Sequence, residues 1–125
     1  MSYNTVIVIT DEQAREIALG LPEAEEKSHF GHPDFRVKNR IFATLWPGQR
    51  RSVLKLSRED QASAVLLNPD VFSIPAGGER GGWTNVNLSK VEEEQFRALI
   101  RKAWASLPRP RARKELARKR AAGRE

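Results

Sequence analysis

Residues 28–43, Ser28-His29-Phe30-Gly31-His32-Pro33-Asp34-Phe35-Arg36-Val37-Lys38-Asn39-Arg40-Ile41-Phe42-Ala43, read as strand, turn, strand, with a basic turn. Phe35 to Val37 and Ile41 to Trp46 flank Lys38-Asn39-Arg40, and a short polar turn holding Asn favours a hairpin. In the second strand Ile41, Ala43 and Leu45 are expected on one face, and Phe42, Thr44 and Trp46 on the other. Pro47-Gly48-Gln49 marks the next turn, with Arg50 and Arg51 beside it. Ser52 to Leu56 supplies a third strand. Strands joined by turns this tight pair antiparallel, so the region is a meander.

Helical signals bracket the meander. Upstream, Thr10 is an N-cap candidate with Gln13 as its capping-box partner. Ala14, Ile17, Ala18 and Leu21 then recur on one helical face, and Gly20 and Pro22 end the helix. Glu23, Glu25 and Glu26 read as an acidic loop. Downstream, Ser57 caps a second helix whose inner face is Ala62, Val65 and Leu66, and Asn68-Pro69 stops it. A glycine-rich loop over 75–82 leads into a fourth strand, Trp83 to Leu88. Ser89 and Glu92 match a capping box for a third helix. On that helix Phe96, Leu99, Ile100, Ala103 and Leu107 share one face. The order α-β-β-β-α-β-α predicts an α+β fold: an antiparallel sheet, meander plus a fourth strand, with helices packed on one face.

At 125 residues one domain is expected: a body over 1–108, with 1–9 an extended lead-in that includes a possible edge strand at Val6 to Ile9. The chain has no Cys, which excludes disulfides, thiolate metal sites and a cysteine nucleophile. No basic n-region with a long apolar run opens the chain, and Val6-Ile7-Val8-Ile9 is far too short to span a bilayer. A cytoplasmic monomer, with no membrane association and no known protein partner, is the expectation. The net charge is +6, and it lies in the tail. Residues 109–125 carry Arg109, Arg111, Arg113, Lys114, Arg118, Lys119, Arg120 and Arg124 against Glu115 and Glu125, while 1–108 balance. With Leu116 its one large apolar residue, the tail is expected to be disordered, or helical over 112–122 once its charge is neutralised.

An ordered set of motifs runs through the body: Leu19-x-Leu21-Pro22-Glu23, Phe30-Gly31-His32-Pro33-Asp34-Phe35-Arg36-Val37, Ile41-Phe42-Ala43-Thr44-Leu45, Leu54-Lys55-Leu56 and Gly81-Gly82-Trp83-Thr84-x-Val86-x-Leu88. With the helix holding Ala103-Trp104, this set resembles the MmcQ/YjbR family, small proteins described as DNA-binding, over about residues 14–108. The resemblance implies a YjbR-like α+β antiparallel sheet with helices, comparable with CyaY-like and double-wing DNA-binding folds. It brings no catalytic or ligand-binding residues with it.

The chemistry-bearing residues form no catalytic set. His29 and His32, three apart in an extended segment, are expected to point to opposite faces, and no Cys or carboxylate cluster completes a metal site. The glycines of 77–82 lack the GxxxxGK[ST] pattern and precede a strand, so no helix N-terminus is there to hold a phosphate. Asp34 and Glu79 stand isolated. No enzyme activity, cofactor or metal is therefore expected. Trp46, Trp83 and Trp104 invite a stacking role but fit core or rim packing as well, with Trp46 the most exposed of the three.

Lys38, Arg40, Arg50 and Arg51 sit in or beside hairpin turns, Arg80 at the tip of the glycine loop, and Arg111, Arg113, Lys114, Arg118, Lys119 and Arg120 in the tail. Basic turns and a basic tail suit phosphate contacts; a solubilising surface explains them too. DNA is the expected partner, bound with low specificity. The alternative is a protein- or small-ligand-binding module with an incidental tail.

Overall fold

Lys38 and Asn39 both sit at positive φ, 49° and 67°, the two-residue turn whose twist matches that of a hairpin. It joins β2 (His32–Val37) to β3 (Arg40–Trp46). The computed structural model describes residues 9–29 and 31–108. Around this hairpin it builds an open six-stranded antiparallel sheet, with β1 (Glu25–His29), β4 (Arg51–Lys55), β5 (Phe72–Ser73) and β6 (Trp83–Asn87) in the order β1-β2-β3-β4-β6-β5. Three helices complete an α+β fold: α1 (Asp11–Leu19), α2 (Arg58–Leu67) and α3 (Glu93–Ala105). The lead-in expected over 1–9, apart from the buried Ile9, and the tail over 109–125 lie outside the described residues.

Helices α1 and α3 lie against β3 and β4 on one face of the sheet. Phe35, Leu54, Val86 and Phe72 from the strands meet Ile17 of α1 and Phe96, Ile100 and Ala103 of α3, all buried. Helix α2 packs at the β5 margin, tied to α3 by Lys102 Nζ and Asp60 Oδ1 at 3.6 Å. The α1 cap forms as expected: the Gln13 N–H donates to Thr10 Oγ1 (3.1 Å), and the Thr10 N–H to Gln13 Oε1 (2.9 Å). Ser57 caps α2 by accepting from the Asp60 N–H at 3.0 Å.

Several local expectations are corrected. The acidic stretch around Glu25 and Glu26 is an edge strand, β1. Glu26 reaches back to Arg15 of α1 (2.6 Å), and Lys27 donates to Asn39 Oδ1 across β2 (2.8 Å). In β3 the pairing steps from Phe35↔Ala43 to Arg36↔Ile41 and skips Phe42. This one-residue bulge buries both Phe42 and Ala43 and turns Ile41 onto the opposite face with Thr44 and Trp46. On α2 the buried residues are Gln61 and Ala64; of the expected inner face Val65 packs half-buried against the core, while Ala62 is exposed and Leu66 and Leu67 are each 82% exposed. Gln61 sets that rotation, because its Nε2 donates to the carbonyls of Trp83 (2.8 Å) and Gly78 (3.3 Å). The Ser89–Glu92 capping box does not form. Helix α3 starts at Glu93, so Glu92 occupies the cap position itself and makes no side-chain cap bond.

The glycine loop is pinned. Gly78 N–H donates to Pro75 O, Trp83 N–H to Gly78 O, and Leu56 N–H to Gly82 O, at 2.8–3.0 Å. Gly82 has φ +73°, and a Cβ there would lie 1.7 Å from the Leu56 carbonyl oxygen. Gly48, at φ +84°, has nothing within 4 Å of its Cβ position. Gly82→Ala is therefore expected to cost about 3 kcal/mol or more through combined strain and overlap. Gly48→Ala is expected to cost about 1 kcal/mol from backbone conformation alone. Urea unfolding of both variants checks this; equal midpoints would mean that the loop yields at no cost.

Candidate nucleic-acid interface

No described helix covers the second face of the sheet; among the described residues, strand side chains and the Pro75–Gly78 segment line it. Strand alternation and pairing register set these side chains in rows across the strands. The first row is His32, Trp46, Arg51 and Asn87. Trp46 pairs with Arg51, and Arg51 with Asn87; the His32 ring stacks on Trp46 at 3.9 Å. The second row is Lys27, Asp34, Thr44, Val53 and Asn85. The third holds Arg36 with Ile41, and Lys55 with Trp83. Four residues of β4 separate Arg51 from Lys55, about 14 Å at ~3.4 Å per residue.

The middle row is low at its centre, where Thr44 and Val53 lie between taller neighbours. The result is a groove of about 360 Å³, walled by His32, Trp46 and Arg51 on one side and by Ile41 and Trp83 on the other, and bounded by Pro75–Gly78. That volume falls within the range of small-ligand sites. Trp46 is sandwiched rather than exposed. Strands β2 and β4 flank β3 on opposite sides, so the His32 ring and the Arg51 guanidinium, 4.6 Å from the indole centroid, cover its two faces. Trp83 lies against the Gly81 backbone, where a Cβ would come within 2.8 Å of Cδ1. Lys55 Nζ stands 6.0 Å over its ring. Trp104 takes no part: it packs against the core and donates to Pro22 O (2.8 Å) on the helical side.

At the β2 end of the groove Asp34 is buried (1% exposed) and chelated by Arg36, whose Nε and Nη2 donate to Oδ1 and Oδ2 at 2.6 and 2.9 Å. These hydrogen bonds raise the Arg36 pKa above its ordinary value, against the opposing pull of partial desolvation. The guanidinium is thus charged at any pH at which the protein folds. His32 and Asp34 share the groove, yet no hydrogen bond joins them: both Asp34 oxygens engage Arg36, and His32 Nδ1 is buried without a partner. The backbone of His29 pairs with that of His32 across the β1–β2 hairpin, because the chain reverses between them. Among the described residues no group of three or more His, Asp or Glu converges to hold a metal. In the sequence His32 and Asp34 stand out separately, with Asp34 isolated; the Asp34–Arg36 pair and its burial were missed.

The expected phosphate-contacting residues divide between the two ends of the sheet. Lys38 and Arg40 are exposed at the β2–β3 turn, and Arg50 is exposed beside the half-buried Arg51 at the β3–β4 turn. The length of β3 puts about 20 Å between these turns. Strand directions bring Arg80, which precedes β6, to the same end as Lys38, Arg40 and Lys55. Arg51 donates to Asn85 Oδ1 (3.1 Å) and Gln49 Oε1 (3.2 Å). Arg111, Arg113, Lys114, Arg118, Lys119 and Arg120 lie outside the described residues.

Charge is sorted by layer. Residues 25–55 contain seven cations, Lys27, Arg36, Lys38, Arg40, Arg50, Arg51 and Lys55, against three carboxylates, Glu25, Glu26 and Asp34. Ion pairs among the described residues engage Arg15, Arg36, Arg97 and Lys102. Among the described residues Lys38, Arg40, Arg50, Arg51, Lys55 and Arg80 have no carboxylate partner, and neither do Lys27, Arg58, Lys90 and Arg101; the excess of cations over carboxylates is what distinguishes residues 25–55. No described helix is long and apolar enough to cross a membrane.

A family model, YjbR, matches residues 19–106. The fold is similar to the crystal structure of Deinococcus radiodurans protein DR2400, which carries the family-model domain DUF419. The TM-score is 0.72 at 23% sequence identity, over 88% of this chain and 89% of that one. No curated protein matches the chain.

The Asp34–Arg36 pair yields a stability prediction. Arg36→Leu strands a buried carboxylate, whereas Asp34→Asn/Arg36→Leu removes its charge as well. The single variant should melt several degrees below the wild type, and the double variant should recover part of that loss. Identical melting temperatures for the two variants would mean that the Asp34 charge needs no partner.

Proposed function

This chain belongs to the YjbR family, and from that premise we propose that it binds nucleic acid with little sequence specificity, chiefly through phosphates. The observation that carries the reading is the excess of charge on residues 25–55, seven cations against three carboxylates, with Lys38, Arg40, Arg50, Arg51 and Lys55, and Arg80 beside them, in no ion pair among the described residues. Surface cations left uncompensated on one layer of a neutral body make a local positive field, which draws a polyanion whatever its sequence. The tail adds an electrostatic clamp. With about six phosphates neutralised, log K should fall with log salt at a slope of roughly −5. The reading is of a binding protein, not an enzyme, and it is supported by the engagement of both Asp34 oxygens by Arg36, which leaves no free carboxylate beside His32. The groove of about 360 Å³ favours a second reading, a small-ligand-binding module.

Fluorescence anisotropy of a labelled duplex across a salt series tests the first reading on the full chain. Lys38→Ala/Arg40→Ala should weaken binding several-fold at low salt and reduce the slope by about 2, since two phosphate contacts are lost. An unchanged slope, together with loss of all binding on deletion of 109–125, would assign binding to the tail and leave the body to the second reading.

A further inference from the structure

We propose that the groove on the open face of the sheet takes an unpaired base, so that the folded body binds single strands in preference to duplex. This deepens the nucleic-acid reading and rests on it. The interior of the groove is not phosphate-like. Its floor is Thr44 and Val53, and its far wall is Trp83 with Ile41. A base held in a duplex is already stacked and cannot enter. A splayed base offers the flat apolar faces and polar edge that such a cavity accommodates, and aromatic rings stack bases without regard to sequence. Trp46 is held between His32 and Arg51, so it serves as a wall. Trp83 has the Gly81 backbone against it and only the flexible Lys55 chain, 6.0 Å away, over its ring, so it is the indole on which a base stacks once Lys55 turns aside to a phosphate.

Charge complementarity selects a nucleic-acid strand as the occupant rather than an apolar peptide. Arg51 and Arg50 stand at one end, and Lys55, Lys38, Arg40 and Arg80 at the other, none paired with a carboxylate among the described residues. A strand laid across the groove, from the Arg51 wall to the Trp83 wall, would place a base between two sets of cations, with its phosphates on either side.

The test compares three labelled ligands of equal length on the full-length protein: a single-stranded oligonucleotide, its duplex, and an abasic strand of equal charge. Because the tail and the turns see the same phosphates in the two single strands, any difference between them reports bases. The intact strand is expected to bind about tenfold more tightly than the abasic strand. Trp83→Ala should remove most of that difference and leave duplex affinity and the salt slope within twofold. Val53→Phe, which fills the groove while keeping every cation, should act in the same way and guards against misfolding of the Trp83 variant. Equal affinity for intact and abasic strands overturns the proposal and leaves phosphate binding standing. Binding to none of the three overturns both readings. A free mononucleotide that binds as tightly as the strand also overturns it and makes the groove a small-ligand site.

Discussion

Helices α1 and α3 cover one face of the sheet, and everything distinctive about the molecule follows from that asymmetry. The helical face builds the core in the ordinary way, with phenylalanines from the strands against the apolar stripes of α1 and α3. The opposite face, over which no described helix lies, satisfies its polar groups and shields its backbone chiefly with strand side chains. It does so in rows: an indole between an imidazole and a guanidinium, a carboxylate inside an arginine fork, and an indole laid on a glycine backbone. These side chains stand in position before any ligand arrives. A binding surface held this way loses little conformational freedom on association.

The bulge at Phe42 links the two faces. A regular strand would put Phe42 beside Thr44 and Trp46, where a large ring would fill the groove, and would leave the core short of a phenylalanine. The skipped position sends Phe42 inward and exchanges it for Ile41, whose side chain is shorter and carries no ring. Packing on the helical side and the hollow on the other are thus consequences of the same backbone irregularity.

Much of this fold was legible in the sequence because the strongest signals are local. The Lys38-Asn39 turn, the Thr10 cap and the helical face through Phe96, Ile100 and Ala103 depend on near neighbours in the chain. What escaped depends on partners far away in sequence. Strand β1 has poor intrinsic strand residues and exists because β2 offers it an edge. The rotation of α2 is set by Gln61 binding the carbonyls of Gly78 and Trp83, so an apolar count favoured Leu66 wrongly. Of the site, the turn cations were visible as cations, but their lack of carboxylate partners was not. The Asp34–Arg36 fork needs only an i, i+2 spacing on one strand, yet its burial depends on rows contributed by other strands. A neutral charge total over 1–108 concealed the sorting of charge between layers.

The route by which the sheet closes has a kinetic side. Strands β2, β3 and β4 are joined through residues 38–39 and 47–50, so their pairing closes short loops and forms early. Strand β6 pairs with β4 only after the chain has passed through residues 56–82, including α2 and the glycine loop. The wall of the groove that carries Trp83 therefore joins the sheet after the meander, together with β5, which among the described residues pairs only with β6. By the same reasoning it is the part whose detachment disturbs the meander least, so sub-global opening should begin there. The groove sits on the seam between an autonomous early unit and a late-arriving strand, and whatever binds across it joins the two.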